Sequence, residues 1–300
     1  MGKSLLASFC IFVAAQAWAG EGHSGQGILL EVNLSKREIV VSCEAIPGYM
    51  EAMVMPFLVR GPEKLEELEP GMTVHFDLVE EKDQTYAEHL QVVRVSNHEA
   101  EPTEARRLTF LHRKLNPAAA AKIVSVGQVL PDFTLTDQTQ QPARLSDFRG
   151  KVVVLTFAYS RCPNPNYCFR LSNNLSILQR RFQVRIGSEL ILMTIVIDPD
   201  QDRGKALETY AETWRADPQA WRFLTGSVGD VRSVAEAFGM DFWSDEGFLT
   251  HSFHTAVIDR EGKLAANLEG NEFTAGQLGD LVETVLRRPV QPKTSAVPRE

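Results

Sequence analysis

The sequence predicts a small all-β barrel followed by an α/β domain, and three observations support this division. Short segments rich in Val, Ile and Leu recur between residues 27 and 95, separated by turn residues. Strand and helix patterns alternate from about residue 127 to 288. Between them, residues 97–125 are first charged and then Ala-rich with no strand period, which is typical of a linker. A chain of 300 residues is long enough for two cores.

The first domain, residues 25–96, is predicted from strand-like segments. These segments are "ILLEVNLSKREIVVSC", "MVMPFLVRG", "MTVHFDLVE" and "EHLQVVRVS". Apolar and polar residues alternate in "TVHFDLV", as in a strand with one buried face. The segment "GPEKLEELEPG" predicts one helical or 3₁₀ turn, ended by Pro70 and Gly71. This spacing predicts a barrel of four or five strands.

The second domain, residues 126–288, is predicted from alternating strands and helices. The run "KVVVLTFAY" is typical of a strand buried on both faces. A helical stripe follows it, formed by Leu171, Leu175, Leu178 and Phe182. The further strands are "FTLTD", "ELILMTIVID", "WRFLTG" and "HTAVIDREGKL", and the further helices are "RGKALETYAETWRA", "VGDVRSVAEAFGM" and "TAGQLGDLVETVLRR". This alternation predicts a mostly parallel sheet, with a disordered tail at 289–300.

The first nineteen residues have the features of a secretory signal peptide. Lys3 precedes the apolar run "LLASFCIFVAA", and the small-residue site "AWA" closes the segment. Cleavage would leave a mature chain that begins at Gly20. We therefore expect an exported protein of the periplasm, soluble after removal of the signal peptide.

Charge and cysteine count narrow the function classes. The net charge of −8 and the scattered Lys and Arg residues offer no basic surface for nucleic acid. Of four cysteines, Cys10 lies in the signal peptide, which leaves Cys43, Cys162 and Cys168. An odd number in an oxidising compartment indicates that at least one thiol is unpaired or binds a ligand.

Cys162 and Cys168 lie between a buried strand and a helix, which is the layout of thioredoxin-like sites. The N-terminus of a helix stabilises a thiolate there. A structural disulfide would close only a short loop and gain little entropy. Dithiol redox exchange and ligation of a soft metal both remain open. Five residues separate the two cysteines, and the region that would face them, "FLTHSFHTAVID", has no proline but contains His251 and His254. Two thiolates and an imidazole suit copper, with zinc as an alternative.

These motifs identify a resemblance to the Sco/SenC family of thioredoxin-fold copper chaperones. It rests on "LPDFTLTDQ", "GKVVVLTFAYSRCPNPNYC", "IVIDPDQD", "WRFLTG" and "THSFHTAVIDREGKL", over about residues 127–288. The resemblance implies that Cys162, Cys168 and His251 bind copper, and that His254 is only a neighbour. The family's usual spacing has three residues between the cysteines, so the redox alternative stays open for the five found here. The family's acidic motif falls on Asp198 and Asp202, and for Asp202 we expect a helix N-cap.

A cluster of soft side chains lies in the first domain. Cys43, Met50, Met53 and Met55 fall within "CEAIPGYMEAMVMPF". Thioethers and a thiol are good ligands for Cu(I), although methionines in a barrel are more often core residues. The stretch resembles the CusF-like family of small five-stranded, OB-like copper and silver binding domains. That resemblance implies ligation by Met53 and Met55, with Cys43 at the family's histidine position and Met50 near its aromatic partner.

Together these features predict a periplasmic copper metallochaperone. We expect the barrel to capture Cu(I) and the thioredoxin-like domain to receive it. The family resemblance implies delivery to an apo cytochrome oxidase subunit or another copper acceptor, with a thioredoxin-like protein as reductant. Cys162 and Cys168 must be reduced before they bind a metal, so they also form a candidate redox-active pair.

Two other functions remain as alternatives. A periplasmic thiol–disulfide oxidoreductase would use the same cysteines without His251. A copper-buffering or resistance protein would bind the metal without an acceptor. A thiol peroxidase is less favoured, because Tyr159 and Ser160 stand where such sites generally place a threonine.

Overall fold

The computed structural model describes residues 23–81, 83–93, 123–163, 165–245 and 248–289. The predicted signal peptide, most of the predicted linker and nearly all of the predicted tail lie outside these ranges. None of the described helices has the length and apolar character needed to cross a membrane.

The first domain is a closed barrel of five strands. They are β1 (His23–Asn33), β2 (Glu38–Cys43), β3 (Met53–Val59), β4 (Thr73–Glu81) and β5 (Gln84–Val92). The strands neighbour one another in the order β1-β2-β3-β5-β4, and only the contact between β3 and β5 is parallel. Phe57 and Phe76 pack in the barrel core with ring centroids 4.7 Å apart. A 3₁₀ turn at Leu65–Glu67 precedes β4, as predicted.

The second domain is built on a seven-stranded sheet. Its strands are β6 (Thr134–Asp137), β7 (Pro142–Arg144), β8 (Val152–Ala158), β9 (Leu190–Val196), β10 (Trp221–Thr225), β13 (His254–Ile258) and β14 (Leu264–Glu269). They neighbour one another in the order β14-β13-β8-β9-β10-β6-β7. The helices are α1 (Arg170–Arg181), α2 (Lys205–Thr213), α3 (Val228–Ala237) and α4 (Ala275–Arg287). The predicted fold class, a small barrel followed by a thioredoxin-like α/β domain, is confirmed.

The prediction of a mostly parallel sheet is wrong. Only the β8–β9 and β9–β10 pairs are parallel, whereas the other four pairs in the sheet are antiparallel. Parallel neighbours need a crossover, and α1 and α2 supply one for each of these two pairs. The outer strands connect through hairpins instead.

Two further differences concern the segment around the predicted histidine ligand. The stretch "HTAVIDREGKL" is a hairpin of β13 and β14, because Gly262 adopts a φ of +74° in the turn. Ahead of it, β11 (Phe242–Asp245) and β12 (Phe248–His251) form a separate antiparallel ribbon that the sequence did not predict. His251 is the last residue of this ribbon, and Phe242 lies opposite it.

The central strand β8 is buried on both faces, as its continuous apolar run predicts. Val152 and Val154 face a core shared with α1 and α4, while Val153, Leu155 and Phe157 face the core formed with α3. The backbone of β8 is therefore fixed from both sides. The loop that follows β8 leaves from a rigid base.

Candidate metal centre

The cysteine loop connects β8 to α1. Cys162 lies in the loop and is partly buried, whereas Cys168 is only 2% exposed. Cys168 belongs to a π-helical turn, Pro165–Phe169, that leads directly into α1. Such turns widen a helix by one residue and often occur at functional sites. Both cysteines pack against the same apolar cluster, on the α3 side of the sheet.

His251 is completely buried, and its ring is oriented by a backbone carbonyl. Its Nδ1 lies 2.9 Å from the carbonyl oxygen of Ser252. Because a carbonyl oxygen can only accept, Nδ1 carries the proton and donates it. Nε2 therefore presents its lone pair, and it lies 3.5 Å from Sγ of Cys168. The ring is set in the tautomer that a metal requires.

The separation of Sγ and Nε2 fits two ligands of one ion. A thiolate about 2.3 Å and an imidazole about 2.0 Å from the same tetrahedral ion stand about 3.5 Å apart. Thiolate and imidazole are also donor types that bind copper well and hard ions poorly. This pair can therefore accept a soft ion without moving apart.

Aromatic rings hold the imidazole in place. The rings of Tyr159 and Phe253 meet it edge-on, with centroids 5.8 Å and 4.8 Å away. The hydroxyl of Tyr159 donates to the carbonyl oxygen of Leu249 on β12, over 3.3 Å. No sequence pattern predicts these contacts, because they depend on the unpredicted ribbon.

Two carboxylates anchor the start of the cysteine loop. Asp202 is buried and accepts hydrogen bonds from the backbone N–H of Ser160, over 2.8 Å, and from its hydroxyl. Asp198 pairs with Arg161 over 2.5 Å. Burial raises the pKa of Asp202 above its ordinary value, although the hydrogen bonds from Ser160 act against this shift.

The expected N-cap role of Asp202 is wrong. The N-cap of α2 is Gly204, with a φ of +55°, and no side chain caps this helix. Asp202 instead reaches across to the loop that leaves β8. Its position in the acidic motif was the only sequence signal for this role.

Cys162 is the third predicted copper ligand, and it lies in the turn that follows β8. Its backbone N–H donates to the carbonyl oxygen of Tyr159 over 3.3 Å, which closes a tight turn. Among the described residues, no group of three or more His, Cys, Asp or Glu side chains is already arranged around a metal position. Cys168 and His251 are in direct contact at this centre.

His254 lies on β13 and makes different contacts. It is buried, with Nδ1 3.3 Å from Oδ1 of Asn267 on the neighbouring strand β14. Asn267 in turn donates to the carbonyl oxygen of Phe238 at the end of α3. These contacts give His254 a structural role at the base of the hairpin.

The strand register brings the predicted soft residues of the first domain to one end of the barrel. Cys43 pairs with Met53, and Val41 pairs with Met55, so these side chains share a face of β2 and β3. Met50 and Met55 pack on the barrel core, while Met53 is 50% exposed. We call Cys43, Met50, Met53 and Met55 the barrel rim.

Cys43 is buried and protonated at neutral pH. Burial raises the pKa of its thiol to about 12. Its Sγ lies 3.8 Å from the carbonyl oxygen of Val41, a weak contact. A metal ion that binds Cys43 must therefore displace a proton.

Two family models match the chain, one for each domain. The SCO1/SenC model matches residues 123–287, which is more than half of the chain. The model of the copper binding periplasmic protein CusF matches residues 22–92. The two matches fall on the sheet domain and on the barrel.

Individual relatives match part of the chain. A putative copper-binding protein of Stutzerimonas stutzeri is 25% identical over 146 residues, covering 47% of this chain and 69% of the relative. Protein sco1 of Schizosaccharomyces pombe is 24% identical over 141 residues, covering 44% of this chain and 51% of the relative. The chain thus spans about half the length of the yeast protein. The structure of Arabidopsis thaliana ScoI with copper bound is 20% identical, covers 54% of this chain and all of that one, and has a TM-score of 0.47.

Proposed function

Because the chain belongs to the SCO1/SenC family, we propose that it is an exported copper metallochaperone. Its cargo is Cu(I), held at the cysteine loop by Cys162, Cys168 and His251. The barrel rim is a second copper site, supported by the match of residues 22–92 to a copper binding periplasmic protein. The protein acts in the periplasm.

One observation carries this proposal. The lone pair of His251 Nε2 faces the thiol of Cys168 across 3.5 Å in a buried setting. The Ser252 carbonyl fixes the tautomer, and the imidazole is fully buried against the ring of Phe253. A thiol pair that only exchanged disulfides would need no buried imidazole held in this way.

Binding proceeds by replacement of protons at the sulfur atoms. Cu(I) takes the place of the protons on Cys168 and Cys162, and Nε2 of His251 supplies a neutral donor. Cys162 joins the other two when its turn closes on the ion. Release to an acceptor follows the reverse order, as each thiolate is exchanged for a ligand of the acceptor, and the copper keeps its charge throughout.

The acceptor is an apo cytochrome oxidase subunit or another copper protein. Relatives of the chain include Sco proteins, and one matched structure is described as a member of the Sco family of cytochrome c oxidase assembly proteins. A thioredoxin-like protein keeps the two cysteines reduced, because a disulfide cannot bind the metal.

Anaerobic titration of the reduced, mature protein with Cu(I) tests this function. We expect two tight equivalents in the wild type, and one in each of the double variants Cys162→Ala/Cys168→Ala and Met53→Leu/Met55→Leu. Met72→Leu is the matched control in the barrel, because Met72 accepts a hydrogen bond from the N–H of Glu69 rather than lying at the rim. It should retain both equivalents.

The titration also separates the alternatives. Weak binding that neither double variant changes would refute the chaperone and leave the dithiol as a redox catalyst, to be tested by turnover of a disulfide substrate. Tight binding without transfer to any apo acceptor would instead favour copper buffering.

A further inference from the structure

The barrel packs directly on the last helix of the second domain. The strand β1 is buried on both faces: Leu29 points into the barrel, while Ile28 and Leu30 join the core that contains α4. On the α4 side they share this core with Leu278 and Val282. Burial of these apolar side chains between the barrel and α4 stabilises the contact.

The backbone of the barrel also approaches the sheet closely. Gly71, with a φ of +96°, lies against β14, where an added Cβ would meet the Cβ of Ala266 at 3.2 Å. The two domains are thus packed together at two places, so the barrel is docked rather than loosely tethered.

Polar contacts fix the position of the strand that ends in Cys43. The buried hydroxyl of Ser42 donates to Asp280 on α4 over 2.7 Å. Asp280 is also paired with Arg181 on α1, over 2.7 Å. In the first turn of α4, Gln277 Nε2 donates to the carbonyl oxygen of Ser42 over 3.4 Å. We call Ser42, Gln277 and Asp280 the latch.

The same end of α4 is connected to the cysteine loop. The segment 270–274 leads into α4, and Asn271 in it donates to the carbonyl oxygen of Asn166 over 2.7 Å. Asn166 lies in the π-helical turn that contains Cys168. The first turn of α4 therefore touches the residue before Cys43, while the segment just ahead of it touches the turn of Cys168.

We infer that the latch and the apolar face of β1 hold the barrel rim beside the cysteine loop, so that Cu(I) passes from one site to the other within a single chain. This inference rests on the proposed copper-binding function of both sites. The bonds from copper to Met53, Met55 and Cys43 break as bonds to Cys162, Cys168 and Nε2 of His251 form. Copper stays Cu(I), the two loop thiols release their protons to solvent, and Cys43 regains one.

In this scheme Ser42 and Asp280 are positioning residues, because they hold the barrel rim in position and do not bind the metal. Copper captured at the half-exposed Met53 then reaches the cysteine loop, where Cys168 is buried, by an internal step. Such a step has a rate that does not depend on the concentration of either reactant. A positioning role therefore leaves a kinetic signature that mere stabilisation of the fold does not.

The test mixes the reduced full-length mature chain with excess Cu(I), supplied as its acetonitrile complex, in a stopped-flow instrument. Near-ultraviolet absorption of copper bound to thiolate reports loading, and the trace of Cys162→Ala/Cys168→Ala supplies the contribution of Cys43. In the wild type, the loading rate should rise with copper concentration and then reach a ceiling, which is the internal step. In Met53→Leu/Met55→Leu the rate should rise without a ceiling.

Breaking the latch should lower this ceiling. We expect Ser42→Ala/Asp280→Ala to reduce it at least tenfold while both copper equivalents and the initial slope stay unchanged. Ile28→Lys, which places a charge in the apolar contact, should do the same. The matched control is Ser146→Ala/Asp132→Ala, because Ser146 donates to Asp132 over 2.8 Å in the same way but with both partners in the second domain. Its ceiling should equal that of the wild type.

A wild-type rate without a ceiling would overturn the inference, as would an unchanged ceiling in Ser42→Ala/Asp280→Ala. If Ile28→Lys no longer binds copper at the rim, its fold is lost and the polar double variant decides alone. Failure of the wild type to bind two equivalents of copper would instead overturn the proposed function, so the two failures are distinct.

Discussion

Cys168 and Met53 are both sulfur ligands of the proposed copper path, but their surroundings differ. Cys168 is almost fully buried beside an imidazole that a carbonyl and two rings hold in place. Met53 is half exposed, and strand register alone brings it to Cys43. Pre-oriented, desolvated ligands favour tight binding, whereas exposed thioethers favour fast exchange. The difference indicates a site for entry and a site for retention.

The largest expected effect is the loss of Cu(I) affinity at the cysteine loop when its proposed ligand His251 is removed. His251→Ala should lower the Cu(I) affinity of the cysteine loop at least about 100-fold, since loss of even an outer partner of a ligand commonly costs 10–100-fold. Competition with a chromophoric Cu(I) chelator measures this affinity. His254→Ala removes a second buried histidine that bonds to Asn267, and it should leave the affinity unchanged. Equal Cu(I) affinities of the wild type and of His251→Ala would show that His251 does not bind the copper, and they would favour the oxidoreductase.

A pH series tests whether Cys43 belongs to the rim site. With a pKa of about 12 the thiol carries a proton at neutral pH, so a bound copper ion must displace it. In Cys162→Ala/Cys168→Ala, the affinity of the rim should therefore rise about tenfold from pH 7 to pH 8. Adding Cys43→Ser should remove this slope. A rim affinity that is flat with pH in both proteins would identify Cys43 as a core residue only.

A smaller effect is expected where the cysteine loop is anchored. Asp202→Asn weakens the hydrogen bonds to Ser160. It should lower the Cu(I) affinity of the cysteine loop about tenfold, although every proposed ligand is still present. Asp132→Asn is the matched control, because Asp132 also binds both the N–H and the hydroxyl of a serine, Ser146. If the Cu(I) dissociation constant of Asp202→Asn equals that of the wild type, the hydrogen bonds from Ser160 to Asp202 are not needed for copper binding.

The last effect concerns stability rather than copper affinity, and it should involve the second domain alone. Burial by itself would raise the pKa of Asp137, but hydrogen bonds from Thr139 and Gln141 and the charge of Arg222 outweigh it and lower that pKa. A lowered carboxyl pKa gives stability that is present above the unfolded value and lost as pH falls through the folded value. Asp137→Asn should cost roughly 2 kcal/mol at pH 7 and less in acid. Urea unfolding at pH 7 and pH 3 measures this, and an equal loss at both values would contradict the linkage.

Sequence patterns predicted the parts of the molecule that depend on local order. The apolar run of β8 and the stripe of α1 show in the residues themselves, because burial of one or two faces imposes a period. We also predicted from the sequence that the two cysteines and His251 belong to one site. Which cysteine lies against His251 could not be predicted, since the contact between Cys168 and His251 depends on the ribbon of β11 and β12.

Other features have no signal in a single sequence. The carbonyl of Ser252 that sets the tautomer of His251 is a backbone atom, which any residue type supplies. Asp202 was misread because an acidic residue before a helix usually caps it, and here a longer-range partner, Ser160, wins. The docking of the barrel was not predicted either, because the apolar run Ile28, Leu29 and Leu30 in β1 looks the same whether one face of the strand is covered or two.

The contact between Ser42 and Asp280 joins residues 238 positions apart in the chain. A ribosome makes the barrel first and α4 last, so the outward side chains of β1 face water until synthesis of the second domain is almost complete. During that interval Ile28 and Leu30 form an exposed apolar patch, which is a site for self-association or for a holding chaperone. The nascent protein therefore keeps this apolar patch exposed until α4 has been made and the barrel has docked on it.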